Sequence, residues 1–129
     1  MRTVLVVDDD LDLLELYTDM LEIMGCHVLQ AHEGEQALER ARQERPDLIV
    51  TDWMMPGLDG AELCLRLLRD PVLRHIPIIL HSSMKAPRLP GIHVLSKGCP
   101  LAEFEDAVAE ALGDVPERLD APEEARAAC

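Results

Sequence analysis

Asp8-Asp9-Asp10 ends the first apolar run of the chain, Asp52 ends another at mid-chain, His81-Ser82-Ser83 a third and Ser96-Lys97 a fourth. Together these side chains have the parts for phosphoryl chemistry. Paired carboxylates can hold a hard cation, a further carboxylate can attack phosphorus, and a hydroxyl and an ammonium can receive charge on phosphate oxygens. If the first and third runs lie side by side, Asp8, Asp9 and Asp52 meet within a few ångströms, where like charges raise one another's pKa unless a cation joins them. Mg²⁺ suits such oxygen donors, keeping most of its waters and taking one or two protein carboxylates. An acidic triplet at a helix start is also a good cap, and Asp10 and Asp12 are read that way. The presence of Asp52 and Lys97 at other strand ends is what assigns Asp8 and Asp9 to a site. His81, inside an apolar strand, is read as a satisfied core side chain. Trp53 is read as loop packing, Asp59 as a cap, and Gly57 and Gly60 as backbone turns.

The elements that must carry these groups are legible in the apolar pattern. Thr3 to Val7, Val28-Leu29, Leu48 to Val50, Ile76 to Leu80 and Ile92 to Leu95 are unbroken aliphatic runs separated mostly by stretches of helical spacing. Strands buried on both faces read this way because helices cover both sides, so the expected fold class is α/β with a parallel sheet. In such open sheets functional groups collect beyond the carboxyl ends of the strands, at the point where strand order reverses. Asp10 is positioned to cap a helix bearing Leu13, Leu14, Tyr17, Leu21 and Met24, with Gly25 closing it. Glu33 to Arg45 forms a second helix with Ala37, Leu38 and Ala41 as its inner stripe. Asp59 and Glu62 open a third, through Leu63, Leu67 and Leu68. Pro100 begins the last, with Leu101, Phe104, Val108, Ala111 and Leu112 inward and Gly113 as its stop.

One connection is short. Pro87 and Pro90 interrupt the segment Met84 to Gly91, so the helix due between the fourth and fifth strands is expected to be missing or reduced to one turn. Its loss would leave residues such as Ile79 or Val94 as an apolar patch and a surface for a homodimer or another partner, unless the Met84 to Gly91 loop folds over it.

The chain has 129 residues and a net charge of −13, with Tyr17, Trp53 and Phe104 as its only aromatics. That length reads as one domain, taken as 1–113, followed by an acidic tail, 114–129, expected to be disordered. The acidic balance argues against nucleic acid or an anionic membrane as partner. No run approaches the roughly 20 apolar residues of a membrane helix and no signal-peptide layout is present, so a cytoplasmic protein is expected. Cys26, Cys64, Cys99 and Cys129 form no CxxC pair, and the first three are expected as buried thiols.

Four segments resemble the signature segments of bacterial response-regulator receiver domains. They are Val6 to Asp10, Thr51 to Gly60, Pro77 to Ser83 and Leu95 to Lys97, within a match running from Arg2 to Leu112. The resemblance implies a flavodoxin-like, doubly wound five-stranded parallel sheet in order 2-1-3-4-5. It implies Asp52 as phosphoacceptor, Asp8, Asp9, Asp52 and the Met54 carbonyl as Mg²⁺ ligands, Ser82 as the switch hydroxyl and Lys97 as the phosphate-binding lysine. Partners implied are a sensor histidine kinase or phosphotransfer protein and a downstream protein target. The sequence departs from the family where Gly98-Cys99-Pro100 replaces a proline directly after the lysine, and where Val94 stands in place of an aromatic switch residue. Met54 and Met84 occupy the family positions that steer water to the phosphoryl group, and neither can orient one by a hydrogen bond, which predicts slow self-dephosphorylation.

Three functions follow. The first is a stand-alone response regulator that accepts a phosphoryl group on Asp52 and signals by protein contact or phosphorelay, without multiple turnover. The second is a receiver-like interaction module that works without phosphorylation. The third, an Mg²⁺-dependent phosphohydrolase, lacks a second acid-base Asp, since Met54 stands two residues beyond Asp52.

Overall fold

A computed structural model describes residues 1–53, 60–82 and 92–113. The expectations for Met54, for the Asp59 cap, for the segment between the fourth and fifth strands and for the tail fall outside those residues. Within them the chain alternates β1 (Thr3–Val7), α1 (Leu11–Ile23), β2 (His27–Ala31), α2 (Gly34–Glu44), β3 (Leu48–Asp52), α3 (Gly60–Arg69), β4 (Ile78–Ser82), β5 (Ile92–Ser96) and α4 (Leu101–Leu112). All strand pairs are parallel and the sheet order is β2-β1-β3-β4-β5. This is the doubly wound, flavodoxin-like α/β fold the sequence predicts, with four helices among the described residues.

Alternation along the strands divides the core in two. Leu5, Val7, Ile49, Ile78 and Leu80 face α2 and α3, meeting Ala37, Leu38, Ala41, Leu63 and Leu67. Val4, Val6, Leu48, Val50, Ile79 and Leu95 face the other way, onto Leu14, Tyr17 and Leu21 of α1 and Phe104 and Val108 of α4. Ile79 is therefore buried at 1% exposure, which removes it from the apolar patch expected there, and Val94 packs partly buried against the first cluster.

Local chemistry sets the boundaries. Asp10 Oδ1 accepts from the backbone N–H groups of Asp12 and Leu13, a cap worth about 1 kcal/mol. Gly25 at φ +91° and Gly113 at φ +76° take the left-handed conformations that end α1 and α4. The fourth strand starts at Ile78, later than Ile76, because Asp70 organises a turn first. Its Oδ1 accepts from Val72 N and Leu73 N, its carbonyl accepts from Arg74 N, and Leu73 is thereby buried. Leu101, expected inward, lies 50% exposed, and Leu68 of the third helix 40% exposed, while Cys64 and Ala107 take core positions. Cys26 and Cys64 are buried, as expected, and Cys99 is only partly buried.

Candidate functional site

Strand order reverses at β1, which has β2 on one side and β3 on the other, so a crevice opens beyond the carboxyl ends of β1 and β3. The register Val7↔Thr51 places Asp8 and Asp52 side by side one step further on, and Asp52 itself is paired with His81 of β4. Asp8 is fully buried and Asp52 is 5% exposed, whereas Asp9 is exposed at the rim. One carboxylate oxygen from each of the three lies within 4.8 Å of the others.

Backbone donors fix the pocket floor. Asp8 N–H donates to the Ala31 carbonyl at 3.1 Å, and Asp8 Oδ1 accepts from Asp10 N–H at 2.9 Å. Lys97 reaches in from the turn after β5. That turn is held by Lys97 N–H donating to the Ser82 carbonyl at 2.8 Å, Gly98 N–H to Ser96 Oγ at 3.1 Å and Cys99 N–H to the Ser96 carbonyl at 3.0 Å. The sequence Gly98-Cys99-Pro100 thus still presents the lysine. Its Nζ stands 3.1 Å from Asp52 Oδ2, as a hydrogen bond, and 3.1 Å from Asp8 Oδ2, as an ion pair lacking hydrogen-bond alignment.

The electrostatics follow from burial and this one ammonium. Burial pushes the Asp8 carboxyl pKa up and the charge of Asp52 adds to it, against the Asp10 amide and Lys97, which pull it down. For Lys97, burial favours the neutral amine, but the bonds to Asp52 and Asp8 together prevail and leave its pKa raised. Three carboxylates and one ammonium share the pocket. Asp8 Oδ2 is buried and, though ion-paired with Lys97, accepts no aligned hydrogen bond, and an all-oxygen set of three carboxylates matches a hard divalent cation.

Gly60 matters in a way the sequence reading missed. It opens α3, and what it provides is closeness. Its N–H donates to the Trp53 carbonyl at 3.0 Å, and an added Cβ would strike the Asp52 carbonyl oxygen and come within 2.8 Å of Trp53 Cα and 2.9 Å of Trp53 O. Bare backbone there lets α3 start against the peptide that carries Asp52. Trp53 is partly buried on the core, as expected of loop packing.

His81 is in the core at 2% exposure, but it is not satisfied. Its Nδ1 lies 3.4 Å from the Tyr17 hydroxyl, while Nε2 has no hydrogen bond and faces Asp8 Oδ2 at 3.9 Å. Burial, reinforced by Lys97, lowers its pKa to about 4, so the ring is neutral at pH 7. The sequence showed only a polar side chain inside an apolar run; its place opposite Asp52 comes from the β3–β4 register. Of the expected site residues, then, Asp8, Asp9, Asp52 and Lys97 converge, Ser82 is buried at the end of β4 and joined to Lys97 through its carbonyl, and Met54 lies outside the described residues.

A family model for the response regulator receiver domain matches residues 4–99. The chain belongs to that family. Among curated relatives, this receiver domain is 42% identical over 79 residues to the phosphate regulon transcriptional regulatory protein PhoB of Pseudomonas aeruginosa, covering 61% of this chain and 34% of that one. It is 37% identical over 78 residues to the polar-differentiation response regulator DivK of Brucella anthropi, covering 60% and 63%. The chain therefore spans about a third of PhoB and under two thirds of DivK. Among solved structures, the receiver domain of a signal transduction histidine kinase from Syntrophus aciditrophicus superposes with a TM-score of 0.81 at 30% identity, covering 89% of this chain and 92% of that one. Receiver domains of response regulators act in two-component signalling, as phosphoacceptors rather than multiple-turnover enzymes. No helix among the described residues is long and apolar enough to cross a membrane.

Proposed function

We propose that this receiver domain takes a phosphoryl group onto Asp52 from the phosphohistidine of a sensor histidine kinase or phosphotransfer protein, and passes its state to a separate protein by contact or by onward relay. The observation that carries the reading is Lys97 Nζ, 3.1 Å from both Asp52 and Asp8 within a cluster of three carboxylates. An Asp52 oxygen attacks phosphorus, the new P–O bond forms as the P–N bond to the donor imidazole breaks, and the imidazole leaves with its electron pair. Lys97 then exchanges its carboxylate partners for phosphoryl oxygens, and the Ser82 hydroxyl donates to another of those oxygens, drawing the end of β4 toward the pocket.

Asp8, Asp9 and Asp52, with the Met54 carbonyl, are the residues that would hold Mg²⁺. The ion supplies neutralisation of the charge on the transferring group. Asp10, by its amide bond to Asp8 Oδ1, keeps that carboxylate oriented for it. A cytoplasmic setting is part of the same proposal, since the kinase substrate is made there.

Incubation of the full chain with acetyl phosphate and Mg²⁺, followed by intact mass, tests the reading. One phosphoryl group should be added, and Asp52→Asn should abolish it. No adduct in the parent would favour an interaction module that works unphosphorylated. Sustained turnover of small phosphomonoesters would favour a hydrolase.

A further inference from the structure

Two buried polar atoms at the base of the pocket face each other without a hydrogen bond, Asp8 Oδ2 and His81 Nε2, 3.9 Å apart. Both side chains are almost wholly buried, at 0% and 3% exposure. The ring is held from its far side by the Tyr17 hydroxyl on Nδ1, and Tyr17 in turn stacks on Phe104 of α4 with ring centroids 4.8 Å apart. The His81 ring also meets Tyr17 edge-on at 4.6 Å. An aromatic wall thus fixes the plane in which the imidazole can move and aims Nε2 at the carboxylate.

The tautomer follows from the partners. A tyrosine hydroxyl can donate to Nδ1, and an ionised Asp8 can only accept, so the arrangement that satisfies both carries its proton on Nε2. The Lys97 ammonium lies 3.1 Å from the same Asp8 oxygen.

We propose that His81 is a positioning residue for the cation pocket: its Nε2–H closes onto Asp8 Oδ2 when Mg²⁺ binds, with Tyr17 holding the ring, so that a Tyr17–His81–Asp8 chain orients the buried carboxylate. This rests on the reading of Asp8, Asp9 and Asp52 as the Mg²⁺ site. Outer partners that orient a ligating carboxylate typically change metal affinity about ten- to a hundredfold when removed. Lys97 swinging to phosphoryl oxygens would release Asp8 Oδ2 at the same moment, and His81 Nε2, 3.9 Å away, faces it.

The experiment is Mg²⁺ titration of the full chain, read by Trp53 fluorescence, on the parent, His81→Leu, His81→Gln, Tyr17→Phe and Asp9→Asn, with the ¹⁵N shifts of the His81 ring recorded in the Mg²⁺-loaded parent. His81→Leu should weaken Mg²⁺ binding about tenfold. His81→Gln, whose amide N–H falls near the Nε2 position, should restore most of it, and Tyr17→Phe should lose a smaller part. The ring should be neutral with its proton on Nε2. A merely structural role would predict losses that follow thermal stability, with Gln no better than Leu. If His81→Leu binds as the parent does while Asp9→Asn is weakened, or the proton resides on Nδ1, the proposal is overturned alone. If Asp9→Asn also binds as the parent does, the pocket is not the cation site and both readings fall. Should His81→Leu fail to fold, Tyr17→Phe, His81→Gln and the tautomer decide between the same outcomes.

Discussion

Gly60 sets its bare α-carbon against the carbonyl of Asp52, so closely that no side chain fits between α3 and the end of β3. The contact is backbone on backbone, and neither partner can yield by changing a rotamer. Gly60→Ala should therefore push the Asp52 peptide away. Forcing one methyl into such a space typically costs about 1 to 3 kcal/mol, which urea denaturation would read directly. The same displacement should slow acetyl phosphate labelling beyond what the lost stability explains. Unchanged labelling in a folded Gly60→Ala protein would show that the close approach does not position Asp52.

Asp8 is costly to bury as an anion, because burial and the Asp52 charge both disfavour its ionised form. Its raised folded-state pKa means that stability is lost as pH rises through the interval between the unfolded and folded values. Asp8→Asn removes that charge and leaves Lys97 paired with Asp52. In Mg²⁺-free buffer the variant should melt a few degrees above the parent, since about 1 kcal/mol moves the midpoint of a domain this size by several degrees. Its Mg²⁺ binding should fall at the same time. A lower melting temperature would contradict the assignment of Asp8 as a strained, functional carboxylate.

His81 has the opposite sign. Its folded pKa of about 4 lies below the ordinary histidine value of 6.5, so the unfolded chain binds a proton that the folded chain refuses. Above pH 6.5 the two states agree and nothing is gained or lost. Between pH 6.5 and 4 stability should decline by up to about 3 kcal/mol, levelling off below. Chemical denaturation across that range with Mg²⁺ removed should show the decline, and His81→Leu should flatten it. An equally steep slope in the variant would place the proton uptake elsewhere.

The sheet and the pocket were legible in the sequence for the same reason. Runs such as Leu48 to Val50 can be buried on both faces only in a covered parallel sheet, and the polar residues that end them must then stand along one rim. Asp8, Asp9, Asp52 and Lys97 followed from strand ends alone. What escaped depended on packing that periodicity does not encode. Leu68 and Leu101 sit at helical positions consistent with burial yet are exposed, and Leu73 is buried by an Asp70 turn with no periodic signal. Ile79 was placed on an exposed face, yet α1 and α4 cover that side of β4. His81 read as ordinary core because its register with Asp52 across two strands is a tertiary fact. Gly60 looked like a turn residue because a sequence shows that a side chain is absent without showing what occupies the space.

The central claim is that Asp52 is the atom-level acceptor within the pocket built by Asp8, Asp9 and Lys97. Borohydride reduction of the acetyl phosphate-treated protein, followed by peptide mass mapping, tests it most directly, because an aspartyl phosphate is reduced to homoserine where it stands. Homoserine should appear at position 52, formed only when Mg²⁺ was present during labelling and lost in Asp9→Asn. Homoserine at another aspartate, or labelling at position 52 that is indifferent to Mg²⁺, would contradict it.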